Sequence, residues 1–235
     1  QGTIGIEILQ DLPDADMIVV PVGGGGLIAG IATAAKAVKP GISVIGVQTA
    51  ACPSAAESLQ KRHPVTSDCA PTIADGIRVA RTGTLTFPPL CELVENVVLV
   101  SDDEIADAML LLLERKHIVA EGAGAAPLAA LLNGSIPVRP GSTVVLVISG
   151  GNVDASRLFR IVRQSMARQG RILRFSVLLH DEPGALARGR RGRLGDAGIE
   201  RGDELGRALL GAEERGIGLE VRLQAADDVG VVDRG

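Results

Sequence analysis

The chain reads as an α/β protein: an open, mostly parallel sheet flanked by helices, followed by a small, incomplete α+β segment. Three observations predict this. A short β-branched run at 17–20, a helical stretch at 27–38 and a second buried run at 43–47 form a strand–loop–helix–strand unit. Such a unit closes by a right-handed crossover into a parallel pair. The run 143–148 is apolar without alternation, as expected of a strand buried on both faces. After Gln169-Gly170 the texture changes, which places a boundary between a domain at 1–169 and a segment at 170–235.

The elements follow in order. Residues 3–12 form a helix, with Ile4, Ile8 and Leu9 on one face and Pro13 as its stop. The strand at 17–20 enters Val22-Gly23-Gly24-Gly25-Gly26-Leu27, and a small-residue helix leaves it. Weaker helices are expected at 53–59 and 87–94, a loop at 67–71 and a third strand at 97–100. Ser101 with Glu104 three residues on is a capping box that starts a helix running to 116. Glu121-Gly122-Ala123-Gly124 opens another helix, whose glycines imply close approach of backbone to a neighbour. The strand at 143–148 runs into Ser149-Gly150-Gly151-Asn152, and a mixed helix follows at 153–168. Strands are expected again at 171–179 and 219–223.

Composition narrows the function. Of 235 residues 46% are hydrophobic, yet the aromatics are three Phe with no Tyr and no Trp, so the core is aliphatic. The net charge is -4, and no Lys/Arg cluster sits on an organised helix, which disfavours nucleic acid as a partner. Without aromatics, single strands have no stacking platform. No apolar run is long enough to span a bilayer, and the first seven residues lack the basic flank of a signal peptide. There is no initial Met, and the chain opens abruptly in helical material. Cys52, Cys69 and Cys91 are odd in number and lack metal-type spacing, so they read as reduced thiols of a cytoplasmic protein.

Two loops carry the chemistry. Four glycines between a strand and a helix remove every Cβ and aim N–H groups outward at the positive end of a helix, which suits a phosphate. A flexible strand-to-helix turn is the competing reading. Ser149 presents a hydroxyl at the end of another strand; it binds a ligand or caps the next helix, where Asn152 is the stronger cap. In open α/β sheets ligands sit at the carboxyl ends of strands, so the two loops share a crevice if their strands are neighbours.

Six ordered pieces carry a resemblance: Gln1-Gly2-Thr3-Ile4, Pro21 through Leu27, Gly46-Val47-Gln48, Thr72-Ile73-Ala74-Asp75-Gly76, Glu121-Gly122-Ala123-Gly124-Ala125, and Ser149-Gly150-Gly151-Asn152. Over residues 1 to about 165 they resemble the type II fold of pyridoxal-phosphate enzymes, and within it the threonine/serine dehydratases. The stretch from Arg174 to Leu186 is similar to the opening strand and turn of an ACT domain, and the match is poor after 188. The resemblance implies pyridoxal 5'-phosphate as cofactor, with Gly23, Gly24, Gly25, Gly26 and Leu27 around its phosphate. It implies Ser149 at the pyridine nitrogen and Glu121 close to the ring. For Glu121 the alternative is a first-turn acid favourable to the helix dipole. The implied reaction dehydrates and deaminates L-threonine, or L-serine, to a 2-oxo acid and ammonia in a cytoplasmic homo-oligomer.

The chain also departs from the family. The Schiff-base lysine lies in a Ser-Phe-Lys-type motif upstream of the Gln-Gly-Thr segment, whereas the lysines here are Lys36, Lys39, Lys61 and Lys116. The chain therefore reads as a C-terminal fragment with no catalytic residue of its own, inactive by itself. Serine racemases of this fold bind a divalent ion through acids after the second strand. Residues 48–54 carry none, so no metal is expected. Residues 186–235 hold eleven glycines among scattered charges and cannot build a good helix face, so a reading-frame slip or disorder is expected there. A serine racemase-like or diaminopropionate lyase-like enzyme is the alternative within the fold. A regulatory or nucleotide-binding module is the alternative outside it, although Gln48 stands where a dinucleotide site would place an acid.

Overall fold

A computed structural model describes residues 1–179 and 218–225. They fall into two compact units that divide after Val162.

The first unit is a four-stranded parallel sheet in the order β3-β2-β1-β4, with helices on both faces. Helix α1 (Gly2–Asp11) precedes β1 (Met17–Pro21), α2 (Gly26–Val38) crosses to β2 (Ser43–Thr49), and α3 (Ser54–Lys61) follows. A 3-10 turn at Asp75–Ile77 leads to α4 (Phe87–Leu93) and β3 (Asn96–Val100). Then come α5 (Asp102–Leu111), α6 (Gly122–Leu132), β4 (Val144–Leu146) and α7 (Ala155–Arg168), which carries the chain past the division.

Strand alternation sends residues to two cores. Ile18 and Val20 of β1 and Val44 of β2 pack with Leu9 of α1, Ile28 and Ile31 of α2 and Leu90 of α4. Val19, Ile45 and Val47 pack on the other face with Ile105 and Met109 of α5 and Ala126 and Ala130 of α6. Burial on both faces explains why these strands read as continuous apolar runs. The capping box forms as the spacing requires: the Glu104 amide donates to Ser101 Oγ, and the Ser101 amide donates to Glu104 Oε2 at 2.7 Å. Burial raises the Glu104 pKa, but the Ser101 amide, the Asn133 side chain and the Ser101 hydroxyl outweigh it and hold the carboxyl below its usual range.

The structure corrects several expectations. Helix α5 ends at Leu111, and the chain widens to a π turn at Leu112–Lys116 that His117 stops in the left-handed region at φ 56. Strand β4 is half-buried rather than buried on both faces, because β1 pairs with one edge and no strand among the described residues pairs with the other. Cys52 and Cys69 are not reduced thiols: they are joined in a disulfide, leaving Cys91 free. The spacing of 17 residues carried no pairing signal, because both cysteines lie in irregular chain.

In the second unit β5 (Ile172–Leu179) pairs in parallel with β6 (Gly218–Ala225). The expected strands at 171–179 and 219–223 are both present. The Asp181-to-Leu186 turn, and the readings of 186–217 and 226–235, lie outside the described residues. Among the described residues no helix is long and apolar enough to cross a membrane.

Candidate functional site

Parallel register places the two loops side by side. Met17 pairs with Val144 and Val19 with Leu146, so β1 and β4 are direct neighbours pointing the same way. The glycine loop leaves the carboxyl end of β1 and Ser149 follows the carboxyl end of β4. Between them lies a cavity of about 260 Å³. Gly23, Gly24, Gly25, Gly26, Leu27, Glu121 and Ser149 all line it. Pro21, Gly76, Ile77 and Ala123 complete the lining. A larger cavity, about 520 Å³, opens at the opposite end of the strands, beside Asp16, Ser43 and Glu95. In a parallel sheet the carboxyl edge is the one that gathers loop amides and helix N-termini, which favours the smaller cavity.

The glycine loop is held rather than slack. Its outer carbonyl, on Gly24, accepts from the Gly83 amide at 3.0 Å and from Thr86 Oγ1 at 2.6 Å. Gly25 adopts φ 89, a left-handed conformation that a Cβ disfavours, and serves as the N-cap of α2. Among the described residues the amides of Gly23, Gly24, Gly25 and Gly26 have no acceptor. The first turn of α2 contains no acidic residue. A Cβ on Gly24 or Gly26 would meet nothing nearer than Val79 Cγ1 at 3.9 Å. Free donors, open space and the positive end of a helix together fit the phosphate of a cofactor.

Ser149 and Glu121 take positions that separate their alternatives. Helix α7 begins at Ala155, so neither Ser149 nor Asn152 stands at its cap. Ser149 is exposed on the cavity wall. Glu121 is the N-cap residue of α6, but its side chain makes no cap bond. Its carboxylate lies against Gly150, leaving no room for a Cβ there, and its amide donates to the Gly150 carbonyl at 3.0 Å. The α6 glycines permit the close approach that the sequence implied. A Cβ on Gly122 would lie 2.5 Å from the Ile73 carbonyl oxygen, and one on Gly124 would lie 2.8 Å from that of Gly150. The Ile73 segment and the Ser149–Gly150 loop thereby rest on one helix terminus.

The remaining wall is residues 72–77, whose anchoring the sequence did not reveal. Asp102, at the start of α5, accepts a short hydrogen bond from Thr72 Oγ1 and another from the Ile73 amide at 3.0 Å. Arg157 of α7 donates to Asp75 at 2.8 Å and to the Thr72 carbonyl at 3.1 Å. Partners 29 to 85 residues apart leave no local pattern. The hydrogen bond from Arg157 lowers the Asp75 pKa; burial opposes it, while the Arg157 charge and the Gly76 amide add to it. A carboxyl with a lowered folded pKa contributes stability above its unfolded pKa and loses it as pH falls through the folded value. Asp75 is mostly exposed, so the pair is screened. We expect Asp75→Asn to lower unfolding stability by no more than about 1 kcal/mol at neutral pH. The difference should vanish in acid once Asp75 itself is protonated, as urea melts of both proteins at each pH would show.

The lysines stand elsewhere. Lys36 pairs with Glu95 at 3.6 Å, Lys39 donates to the Pro13 and Ala15 carbonyls, and Lys61 and Lys116 are exposed. None lines the cavity.

Comparisons with known proteins agree with this geometry. The sequence profile described as "Pyridoxal-phosphate dependent enzyme" matches residues 1–150. The chain is 53% identical over 188 residues to L-threonine ammonia-lyase of Geobacter sulfurreducens, covering 80% of this chain and 46% of that protein. Among solved structures, the processed form of threonine deaminase isoform 2 from Solanum lycopersicum superposes with a TM-score of 0.64 at 36% identity, over 69% of this chain and 48% of that one. Maize serine racemase superposes with a TM-score of 0.64 at 35% identity, over 72% and 52%. The chain spans about half the length of the curated relatives it matches. The matched region runs from α1 through β4 and includes the glycine loop, Glu121 and Ser149: the chain belongs to the pyridoxal-phosphate dependent enzyme family.

Proposed function

We propose that this chain is the cofactor-holding half of a threonine ammonia-lyase, which converts L-threonine, or L-serine, to a 2-oxo acid and ammonia. The observation that carries the reading is the pairing, in one cavity, of unpartnered glycine-loop amides with a neutral hydroxyl on the adjacent strand end. The amides of Gly23 to Gly26 bind the phosphate through charge-assisted hydrogen bonds at the α2 N-terminus. Ser149 takes the pyridine nitrogen. A hydroxyl there, unlike a carboxylate, does not hold the ring protonated, which suits elimination of a β-hydroxyl. Glu121 borders the ring. Pyridoxal phosphate, when bound, supplies the electron sink for charge developing at the substrate Cα.

The racemase reading draws support from the likeness to maize serine racemase. The loop after β2, with Ala50, Ala51, Cys52 and Pro53, offers no carboxylate for a divalent ion, and this favours the lyase. The ACT-like reading of 170–235 rests on the motif beginning at Arg174. A homo-oligomeric, cytoplasmic parent belongs to the same proposal.

Equilibrium dialysis tests it. The 235-residue chain is expected to bind pyridoxal 5'-phosphate reversibly and in competition with inorganic phosphate. Borohydride should fix no cofactor to any of its lysines, and L-threonine should not be turned over by this chain alone. Failure to bind, in a sample whose circular dichroism shows it folded, would sink the reading. Efficient release of 2-oxobutanoate would overturn the assignment of the catalytic lysine to a segment outside these residues.

A further inference from the structure

The disulfide lies at the foot of the cavity wall. Cys52 is fully buried in the turn after β2, on the same sheet edge as the glycine loop. Cys69 is half-buried in the excursion between α3 and α4. Their Cα atoms stand 4.4 Å apart, within the range a disulfide spans without backbone movement. Three residues beyond Cys69 the chain reaches Thr72, and then Gly76 and Ile77, which face the cavity. Val79 follows, its side chain 3.1 Å from where a Cβ on Gly23 would stand. The excursion closes where the Ser67 amide donates to the Ala80 carbonyl at 2.9 Å. Beside the disulfide, this root is tied to the β2 edge by the Ala70 amide on the Ala51 carbonyl at 2.9 Å and by Thr49 against Thr72 at 3.3 Å.

We propose that Cys52 and Cys69 form a thiol-exchange site that sets how firmly residues 67–80 close against the glycine loop. The ligand exchanged is a small thiol or its disulfide, of the glutathione type. In reduction, an incoming thiolate attacks Sγ of Cys69, the less buried residue of the pair. The S–S bond breaks, and Cys52 leaves as a thiolate that takes up a proton. A second thiol releases Cys69 from the mixed disulfide, so two small thiols become one disulfide while the protein gains two electrons and two protons. Oxidation is the reverse, with a small disulfide as acceptor. Cutting this tether leaves residues 67–71 held by hydrogen bonds, while Asp75 keeps its ion pair with Arg157 and Ala74 and Ile77 stay packed in the core; ordering the loosened root then falls more heavily on the bound ligand. The effect on cofactor binding rests on the function proposed above; the effect on the wall does not.

The test equilibrates the protein in buffers of fixed reduced-to-oxidised glutathione ratio. Three readouts follow: thiols by alkylation and mass, trypsin cleavage at the exposed Arg78 and Arg81 of the wall, and the dissociation constant for pyridoxal 5'-phosphate. We expect the reduced form to be cut about tenfold faster and to bind the cofactor about tenfold more weakly. Cys69→Ser should match the reduced form at every ratio. Equal cleavage and equal affinity in both forms would overturn the proposal, as would a pair reduced only on global unfolding. If cleavage responds to the ratio while neither form binds cofactor, the exchange site stands and the cofactor reading falls. If both forms bind equally and are cut equally, the reverse holds.

Discussion

Gly25→Ala should weaken pyridoxal phosphate binding by roughly 10- to 100-fold, the equivalent of about 1.4–3 kcal/mol. Two effects act together. Gly25 sits at φ 89, where a side chain strains the backbone. A Cβ there would also lie 2.9 Å from Thr86 Oγ1 and 3.2 Å from Thr86 Cβ. Thr86 is the residue whose hydroxyl holds the Gly24 carbonyl, so displacing it turns the neighbouring amides away from the cavity. Gly41→Ala is the matched control: its Cβ would meet nothing within 4 Å, and Gly41 lies at the opposite end of the strands. Dialysis on both variants checks the expectation, and wild-type affinity in Gly25→Ala would refute it.

Asp102→Ala should cost about 1–3 kcal/mol of stability, because it strands the Ile73 amide in a half-buried site and leaves the Thr72 hydroxyl only Thr49 to donate to. In a chain of this size that corresponds to a fall in Tm on the order of 3–9 °C. The loss should be local before it is global. Hydrogen exchange at Ile73 and Ala74 should rise well above that of the β1 and β2 amides, since Thr72 Oγ1 also accepts from the Ala74 amide. Asp102→Asn keeps an acceptor and should lose less. Uniform exchange across the sheet in Asp102→Ala would show that the carboxylate anchors nothing in particular.

The sequence made the sheet legible because burial on both faces writes itself as uninterrupted Val and Ile. Strands at 17–20 and 43–47 were visible for that reason; 97–100 reads as equally apolar although Leu99 is exposed, and the Ser101–Glu104 spacing announced a helix start. The lateral position of 143–148 was not visible: hydropathy reports how apolar a strand is, not whether both its edges are paired. The π turn at Leu112–Lys116 escaped because its residues suit an α-helix equally well. At the site, glycines and a hydroxyl at strand ends were readable as local motifs, and the structure gathers all seven named residues around one cavity. What holds them was not readable. Thr86 on Gly24, Asp102 on Thr72 and Arg157 on Asp75 are ordinary polar residues whose meaning depends on contacts 62, 30 and 82 residues away.

The pairing of β1 with β4 has a consequence for the order in which the protein acquires its shape. The glycine loop belongs to a local strand–helix–strand unit that is complete by Thr49, whereas the strand that delivers Ser149 pairs with residues 127 positions earlier. Closure over so long a loop is entropically costly and slow. The glycine-loop side of the cavity is therefore expected to form early and the Ser149 side late. On the cofactor placement proposed above, which uses both sides, the cofactor would bind after the sheet is assembled and lock a finished fold without nucleating one. Refolding rates should accordingly be insensitive to added cofactor, while unfolding rates should slow.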